Sequence, residues 1–231
     1  DCMLARDSDT ALKADEVRTL AAIIALSGGM VLDSDNLMRL SDERRAMVSM
    51  LLPPYGKSGV PLDLFESDLP RLFDLDCGTH HVLGVFNWAD EPAEVSAPLP
   101  TGRTHVFDAW NREYLGALSG SVSLKLPAHG CKLLALRPAT ERPQVVGSTF
   151  HLLQGAVEIT DERWDGESLR LSLKPVAVRE GQLYVQVPPA WSTPAMEGAE
   201  DVEISHPGNG VLALSMVVNE PCELRLTFPR R

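Results

Sequence analysis

The sequence predicts a mostly β protein with a smaller α/β portion at its N-terminal end, and three observations predict it. Apolar residues fall at helical spacing early in the chain, most clearly at Val17, Leu20, Ala21 and Ile24. From about residue 76 the pattern becomes short apolar or alternating runs bounded by Gly, Pro, Asn and Asp, as in strands joined by turns. The 17 Gly and 17 Pro supply those turns, and 44% hydrophobic with 23% charged residues is ordinary globular usage for 231 residues.

The elements follow in order. Asp15 and Glu16 suit the positive end of a first helix, Ile23 and Leu26 widen its apolar stripe, and Gly28-Gly29 ends it. Met30-Val-Leu32 is short and wholly apolar, which is how a strand covered on both faces reads. Ser41 is placed as the N-cap of a second helix, with Asp42 and Glu43 in its first turn and Pro53-Pro54 as its stop. These elements make up a first part, residues 1–75. One or two strands of a parallel sheet cannot satisfy their own edges, so most of that sheet is expected to lie elsewhere.

The second part, 76–138, contains strand-like runs at His81–Phe86, Glu94–Pro98, Thr104–Phe107, Ser121–Leu126 and Cys131–Leu136, the spacing of an antiparallel β-sandwich. Arg137–Pro143 is polar, contains Pro and reads as a connector. A third part, 145–231, is a second β-rich module. It holds a hairpin signal at Trp164-Asp-Gly-Glu-Ser168, an alternating run at Gln182–Val187, a turn at Pro207–Gly210, an apolar run at Val211–Val218 and a closing strand at Glu223–Phe228.

Composition narrows the partners. A net charge of -11 and a pI near 5.0 argue against nucleic acid and against anionic membrane surfaces, and leave a neutral sugar open. No apolar run approaches the roughly 20 residues of a spanning helix. Asp1 to Arg6 has no signal-peptide pattern, and with no Met at position 1 the chain reads as a fragment or a processed product. Cys2, Cys77, Cys131 and Cys222 are scattered, and small apolar fillers are favoured over disulfides or a metal site. Together these features lean towards a cytoplasmic location.

Several motifs fail on their spacing. Gly56-Lys57-Ser58 has Leu51 where a phosphate loop needs its first Gly, and Pro53-Pro54 removes amides, so a turn is favoured. Asp33-Ser-Asp35-Asn36 has Met38 where a calcium loop needs Gly, and no Glu at its twelfth place. His80 and His81 are adjacent, and in a strand they face opposite ways, so one ion is poorly served. No motif asks for a metal or a cofactor. No serine-hydrolase or zincin signature occurs, and Trp88, Trp110, Trp164 and Trp191 read as core or interface before sugar platforms.

Longer stretches carry a family resemblance. Asp1-Cys-Met-Leu-Ala-Arg6, Thr10-Ala-Leu-x-x-Asp-Glu-Val-Arg-Thr19, Ala25-Leu-Ser-Gly-Gly-Met-Val-Leu-x-Ser-Asp-x-Leu37 and Leu40-Ser-Asp-Glu-Arg44 together resemble the end of the catalytic barrel of melibiase-type α-galactosidases. These are retaining glycoside hydrolases of the clan holding families twenty-seven and thirty-six. The similarity continues through Leu52-Pro-Pro-Tyr-Gly56 and Pro61-Leu-Asp-Leu-Phe65. His81–Trp88, Val106–Trp110, Tyr114-Leu-Gly116 and Leu126–Gly130 resemble the β-sandwich behind such barrels, so the likeness covers roughly 1–138.

The resemblance implies that the first part holds the last βα units of a (β/α)8 barrel, followed by antiparallel β-sandwich modules. It also implies a parent enzyme hydrolysing terminal α-galactosides or related oligosaccharides. Asp1 and Cys2 are similar to the second Asp of the family's Asn-Asp-Pro-Asp stretch and the residue after it, which face the bound galactose. The competing reading of Asp1 is a charged terminal residue. Asp33 and Asp35 would lie at the end of strand eight on the substrate side, although capping and loop hydrogen bonds stand ahead of direct sugar contact for both. The family's nucleophile and acid/base carboxylates lie upstream of the position matching Asp1, so no catalytic residue is expected within the chain. The alternative is a non-catalytic carbohydrate-binding or structural β-module. The partners expected besides sugar are the missing barrel segment or a second copy of the chain.

Overall fold

The computed structural model describes residues 2–199 and 201–231. Strands β1 (Cys2–Met3) and β2 (Leu32–Asp33) pair in parallel, Cys2 beside Leu32 and Met3 beside Asp33, and helix α1 (Ala14–Ser27) connects them. The helix forms where the 3.6-residue apolar period predicts it and buries Val17, Ala21, Ala22, Ile24, Ala25 and Leu26. The Glu16 carboxylate accepts the Lys13 N–H at 2.5 Å, satisfying one donor of the first turn.

Gly28 stops α1 in the left-handed conformation, with φ 66°. The segment the sequence likens to a phosphate loop seals that helix end instead. Gly59 N–H donates to the Leu26 carbonyl at 2.7 Å and Ser58 Oγ to the Ser27 carbonyl at 2.7 Å. A Cβ on Gly28 would lie 2.1 Å from the Lys57 carbonyl oxygen. Gly28→Ala is therefore expected to cost more than the about 1–2 kcal/mol of a left-handed alanine alone, read as a lowered denaturation midpoint. An unchanged midpoint would contradict this packing.

Two sequence expectations shift here. The strand begins at Leu32 rather than Met30, and it is not covered on both faces: Met30 is 69% and Leu32 51% exposed. Side chains alternate, so Val31 turns to the core while Met30, Leu32, Cys2 and Leu4 share the other, exposed face. Helix α2 (Asp42–Ser49) starts at the Ser41 cap but ends before the proline pair. Leu51 N–H to the Val48 carbonyl and Leu52 N–H to the Ser49 carbonyl, both 3.1 Å, tighten its last turn into three-residue steps.

The β portion is four layers deep. A six-stranded antiparallel sheet has the order β3-β4-β5-β10-β7-β8, built from β3 (Val60–Pro61), β4 (Leu72–Asp76), β5 (His81–Phe86), β7 (Thr104–Asp108), β8 (Glu113–Leu118) and β10 (Cys131–Pro138). A two-stranded antiparallel sheet of β6 (Ala93–Pro98) and β9 (Ser121–Leu126) covers one of its faces. Between them, Leu83, Val85, Val106, Leu134 and Leu136 meet Val95, Ala97, Val122, Leu124 and Leu126. The antiparallel sheet thus reaches back to Val60, inside the first of the three sequence parts.

Two four-stranded sheets follow. One has the order β11-β14-β17-β16, from β11 (Gln144–Ser148), β14 (Arg179–Gln186), β16 (Glu203–Gly208) and β17 (Val211–Val218). The other has the order β12-β13-β18-β15, from β12 (Ile159–Trp164), β13 (Ser168–Leu173), β15 (Ala195–Glu197) and β18 (Cys222–Thr227). Their core sets Leu183, Val185, Leu212 and Leu214 against Leu169, Leu171, Leu224 and Leu226.

The six-stranded sheet uses its other face twice. Val82, Phe86 and Leu133 pack on α1, and Phe107 and Ala135 pack on Val146, Tyr184, Val211 and Ala213 of the next sheet. Residues 139–143 thus join two sandwiches that share a buried face.

Polar groups fasten that junction to α2. Segment 149–158 turns back from β11, and Leu152 N–H donates to the Met50 carbonyl at 3.0 Å. The Arg179 guanidinium donates to the Ser49 carbonyl at 2.7 Å, the Leu52 carbonyl at 2.6 Å and the Phe150 carbonyl, placing a cation at the negative end of α2. Glu158, 4% exposed, lies 3.6 Å from Arg179, and its carboxylate oxygens have no hydrogen-bond partner among the described residues. Burial pushes its carboxyl up to about 7, with Arg179 pulling the other way. Arg137 and Glu162 pair at 2.6 Å across the same junction.

Candidate functional site

Ligands of parallel α/β sheets bind outside the carboxyl ends of the strands. Here those ends are the loops after Met3 and after Asp33, and Asp35 joins them. Its Oδ2 accepts the N–H groups of Ala5 and Arg6, at 2.5 and 3.1 Å, and its Oδ1 accepts Arg6 Nε at 2.6 Å. The Asp35 side chain is 1% exposed. Burial opposes its ionisation, but the Ala5 N–H and the Arg6 side chain outweigh that and hold the carboxyl below the ordinary 3.8.

Asp33 is arranged differently. Its Oδ1 accepts the Asp35 N–H at 2.7 Å, an Asx turn that ends the strand, and the side chain is otherwise exposed. Cys2 is exposed on the same face as Leu32. Asp1 lies outside the described residues. The geometry therefore brings Asp33 and Asp35 together at the strand ends and gives them separate environments, one open and one consumed by the backbone.

Other polar residues complete this rim. Asp7 accepts the Ser41 N–H and Oγ, each at 2.8 Å, tying the first loop to the cap of α2, and these bonds hold its carboxyl low. A cavity of about 180 Å³ opens among Arg6, Asp7, Asp9, Asp35, Asn36 and Arg39. That is below the roughly 300–1,000 Å³ of usual ligand pockets. The sequence reading missed Arg6, Asp7 and Arg39. The available signal was the dense polar run Arg6-Asp-Ser-Asp9 directly after a strand end.

The remaining candidates are occupied by structural tasks. His80 is 1% exposed and donates from Nε2 to the Leu153 carbonyl at 2.9 Å, whereas His81 pairs with Asp74 at 2.9 Å. No group of three potential metal ligands gathers among the described residues. Burial raises the Cys77 thiol to about 12 and the Cys131 thiol to about 11, so neither supplies a thiolate near neutral pH. Trp88 stacks on Phe86 at 4.9 Å, Trp164 meets Trp191 edge-on at 5.0 Å, and Trp191 is 5% exposed.

No protein-family model matches the chain, and no curated protein sequence does. Solved structures similar in fold include a GH27 β-L-arabinopyranosidase of Geobacillus stearothermophilus in complex with arabinose, at 15% identity and TM-score 0.50 over 61% of this chain and 37% of that one. They also include α-galactosidase I of Mortierella vinacea, at 19% identity and TM-score 0.49 over 61% and 39%, and an α-galactosidase of Saccharomyces cerevisiae, at 15% and 0.48 over 60% and 46%. The chain spans less than half the length of each. At these identities the likeness is one of fold alone.

Proposed function

We propose that this chain is the C-terminal part of a retaining glycoside hydrolase that removes terminal α-linked galactose. In this reading β1, α1, β2 and α2 are the last βα units of a (β/α)8 barrel, and the sandwiches follow it. The observation that carries the reading is the parallel β1–β2 pair. Its carboxyl-end loops form a polar, partial cavity of about 180 Å³, while Met30 and Leu32 on its far face stay exposed. Barrel enzymes build their sites at that end of the strands, from several strands at once. Both the sequence resemblance and the likeness in fold to GH27 enzymes support it.

Within the proposed site, Asp33 offers its open carboxylate to sugar hydroxyls, and Cys2, beside Leu32 in the neighbouring strand, and Asp1 are the further contacts that the family resemblance implies. Asp35 serves from behind, fixing the loop after β1 against the loop after β2. Retaining hydrolysis needs two carboxyl groups about 5–5.5 Å apart, a nucleophile and an acid/base, and these would come from earlier barrel strands. Trp88, Trp164 and Trp191 give little support to the alternative of a non-catalytic sugar module, because neighbouring rings or backbone carbonyls occupy them.

The test is turnover of p-nitrophenyl α-D-galactopyranoside. A longer chain supplying the preceding βα units is expected to release nitrophenol, with the α-anomer of galactose formed first by NMR. The 231-residue chain alone is expected to release none above the blank. Turnover by that chain alone would overturn the proposed division, and an inactive longer chain would overturn the substrate.

A further inference from the structure

A second cleft lies far along the chain from that rim, where edge strand β8 of the six-stranded sheet approaches the end of β14. It has a volume of about 430 Å³, within the range of small-molecule sites. Its floor is set by a bulge: β8 pairs Gly116 with Val106 and Tyr114 with Phe107, leaving Leu115 as an extra residue, and Gly116 takes φ 112°. Bulges re-aim side chains, and this one accompanies a turn of Tyr114 towards His105, whose Nδ1 lies 2.6 Å from the Tyr114 hydroxyl.

Two polar atoms at this cleft are buried without a hydrogen-bond partner among the described residues, His105 Nε2 and Gln186 Oε1. His105 is 4% exposed and lines the cavity. Native proteins seldom leave such atoms unmatched, and each carries a desolvation cost of about 1–3 kcal/mol. Arg103 and Glu141, of opposite charge, also line the cleft, and Pro188 and Pro189 add apolar surface to the Tyr114 ring in its lining.

We propose that this cleft binds a neutral saccharide, one hydroxyl of which pairs with His105 Nε2 and Gln186 Oε1. A hydroxyl both donates and accepts, so it accepts from His105 Nε2–H, the tautomer in which Nδ1 accepts the Tyr114 proton, while it donates to Gln186 Oε1. A charged ligand fits less well, since it would meet a neutral imidazole. Burial, reinforced by Arg103 and Arg137, holds the His105 ring well down, to about 4. The sugar ring's C–H face has the Tyr114 ring and the two prolines to lie against. None of the lining residues belongs to β1, β2 or their loops, so this site stands or falls independently of the proposed hydrolase activity.

The experiment is a titration of the ¹⁵N-labelled chain with D-galactose, D-glucose and D-xylose, with glycerol as control, following the His105 ring nitrogens by long-range proton–nitrogen NMR. A saturable shift with at least one sugar and none with glycerol is expected. The affinity should drop roughly tenfold in Gln186→Met and in His105→Phe, as loss of one well-made hydrogen bond implies. Asp33→Asn, at the other site, should leave it unchanged. No saturable shift with any sugar, an equal response to glycerol, or undiminished binding in Gln186→Met would overturn the proposal. Gln186 is only half-buried, so that variant decides the matter even if His105→Phe fails to fold.

Discussion

Arg179→Met is expected to lower the unfolding free energy by about 3–5 kcal/mol near pH 8, the loss seen when one partner of a buried ion pair is removed. The substitution keeps the apolar stem and removes the guanidinium. Three carbonyls, those of Ser49, Leu52 and Phe150, then lose their donor, and Glu158 loses the cation 3.6 Å away. These groups belong to α2 and to segment 149–158, so the damage falls on the seam between the N-terminal α/β portion and the second sandwich. Chemical denaturation should show it as a lower midpoint, with α2 exchanging its amides before the β core does. A loss under about 1 kcal/mol, typical of an exposed pair, would mean that the arginine is dispensable.

Glu158 gives that prediction a pH signature. Its folded carboxyl titrates near 7, raised by burial from an ordinary 4.5. The folded state therefore holds this proton more tightly than the unfolded state. Its contribution is greatest below about 4.5 and is lost as pH rises through about 7, a change on the order of 3 kcal/mol. Glu158→Gln removes this dependence, so it should stabilise the chain above pH 7 and flatten its stability between those limits. In Arg179→Met the carboxyl keeps its burial and loses its cation, so that variant's deficit should be larger at pH 8 than at pH 5. A Glu158→Gln stability curve parallel to wild type would show that this carboxyl titrates normally.

Much of the fold was legible because periodicity and punctuation agreed. Alternation over Ser121–Leu126 and the compact run His81–Phe86 marked β9 and β5 to the residue, and Gly28 marked the end of α1. What escaped had mixed signals. Leu72–Asp76 carries two acids in five residues and was not singled out as a strand, yet it pairs with β5 along its whole length. Glu113–Leu118 contains an extra residue at its bulge, which breaks the period of two that would have identified it. Gln144–Ser148 follows a proline-containing connector, and its burial comes from two sandwiches closing on it, a tertiary fact with no local signature.

The site shows the same limit. The sequence placed Asp33 and Asp35 together at a strand end, and both are there. It could not assign them different tasks, because the residue that separates them is distant in sequence. Arg6 and the Ala5 N–H reach Asp35 across 29 and 30 positions, and nothing in Asp33-Ser-Asp35 announces that contact. Gly56-Lys57-Ser58 likewise looked like a failed ligand loop until the end of α1 was seen to rest on it.

Asp35→Asn should separate a positioning task from direct sugar contact. An asparagine amide offers one acceptor where the carboxylate offers two, so the substitution leaves at least one of the Ala5 and Arg6 donors without its partner and ends the ion pair. Arg6 is 40% exposed, so the pair itself adds little, and each stranded N–H costs about 1–3 kcal/mol. Stability should fall by about 2–4 kcal/mol at neutral pH. The amides of Ala5 and Arg6 should exchange at least tenfold faster while those of β5 and β10 are unchanged. The folded carboxyl is held below 3.8, so the wild-type advantage is present above that pH and disappears as pH falls through the lowered value. Asp33→Asn, whose carboxylate is open, should leave stability within about 0.5–1 kcal/mol of wild type. In an active longer chain Asp33→Asn should raise KM for the galactoside directly, whereas Asp35→Asn should act in proportion to the loosening of the Ala5–Arg6 loop. If Asp35→Asn left both amides protected, the loop would be held by something else, and the buried carboxylate would have to be explained by the ligand.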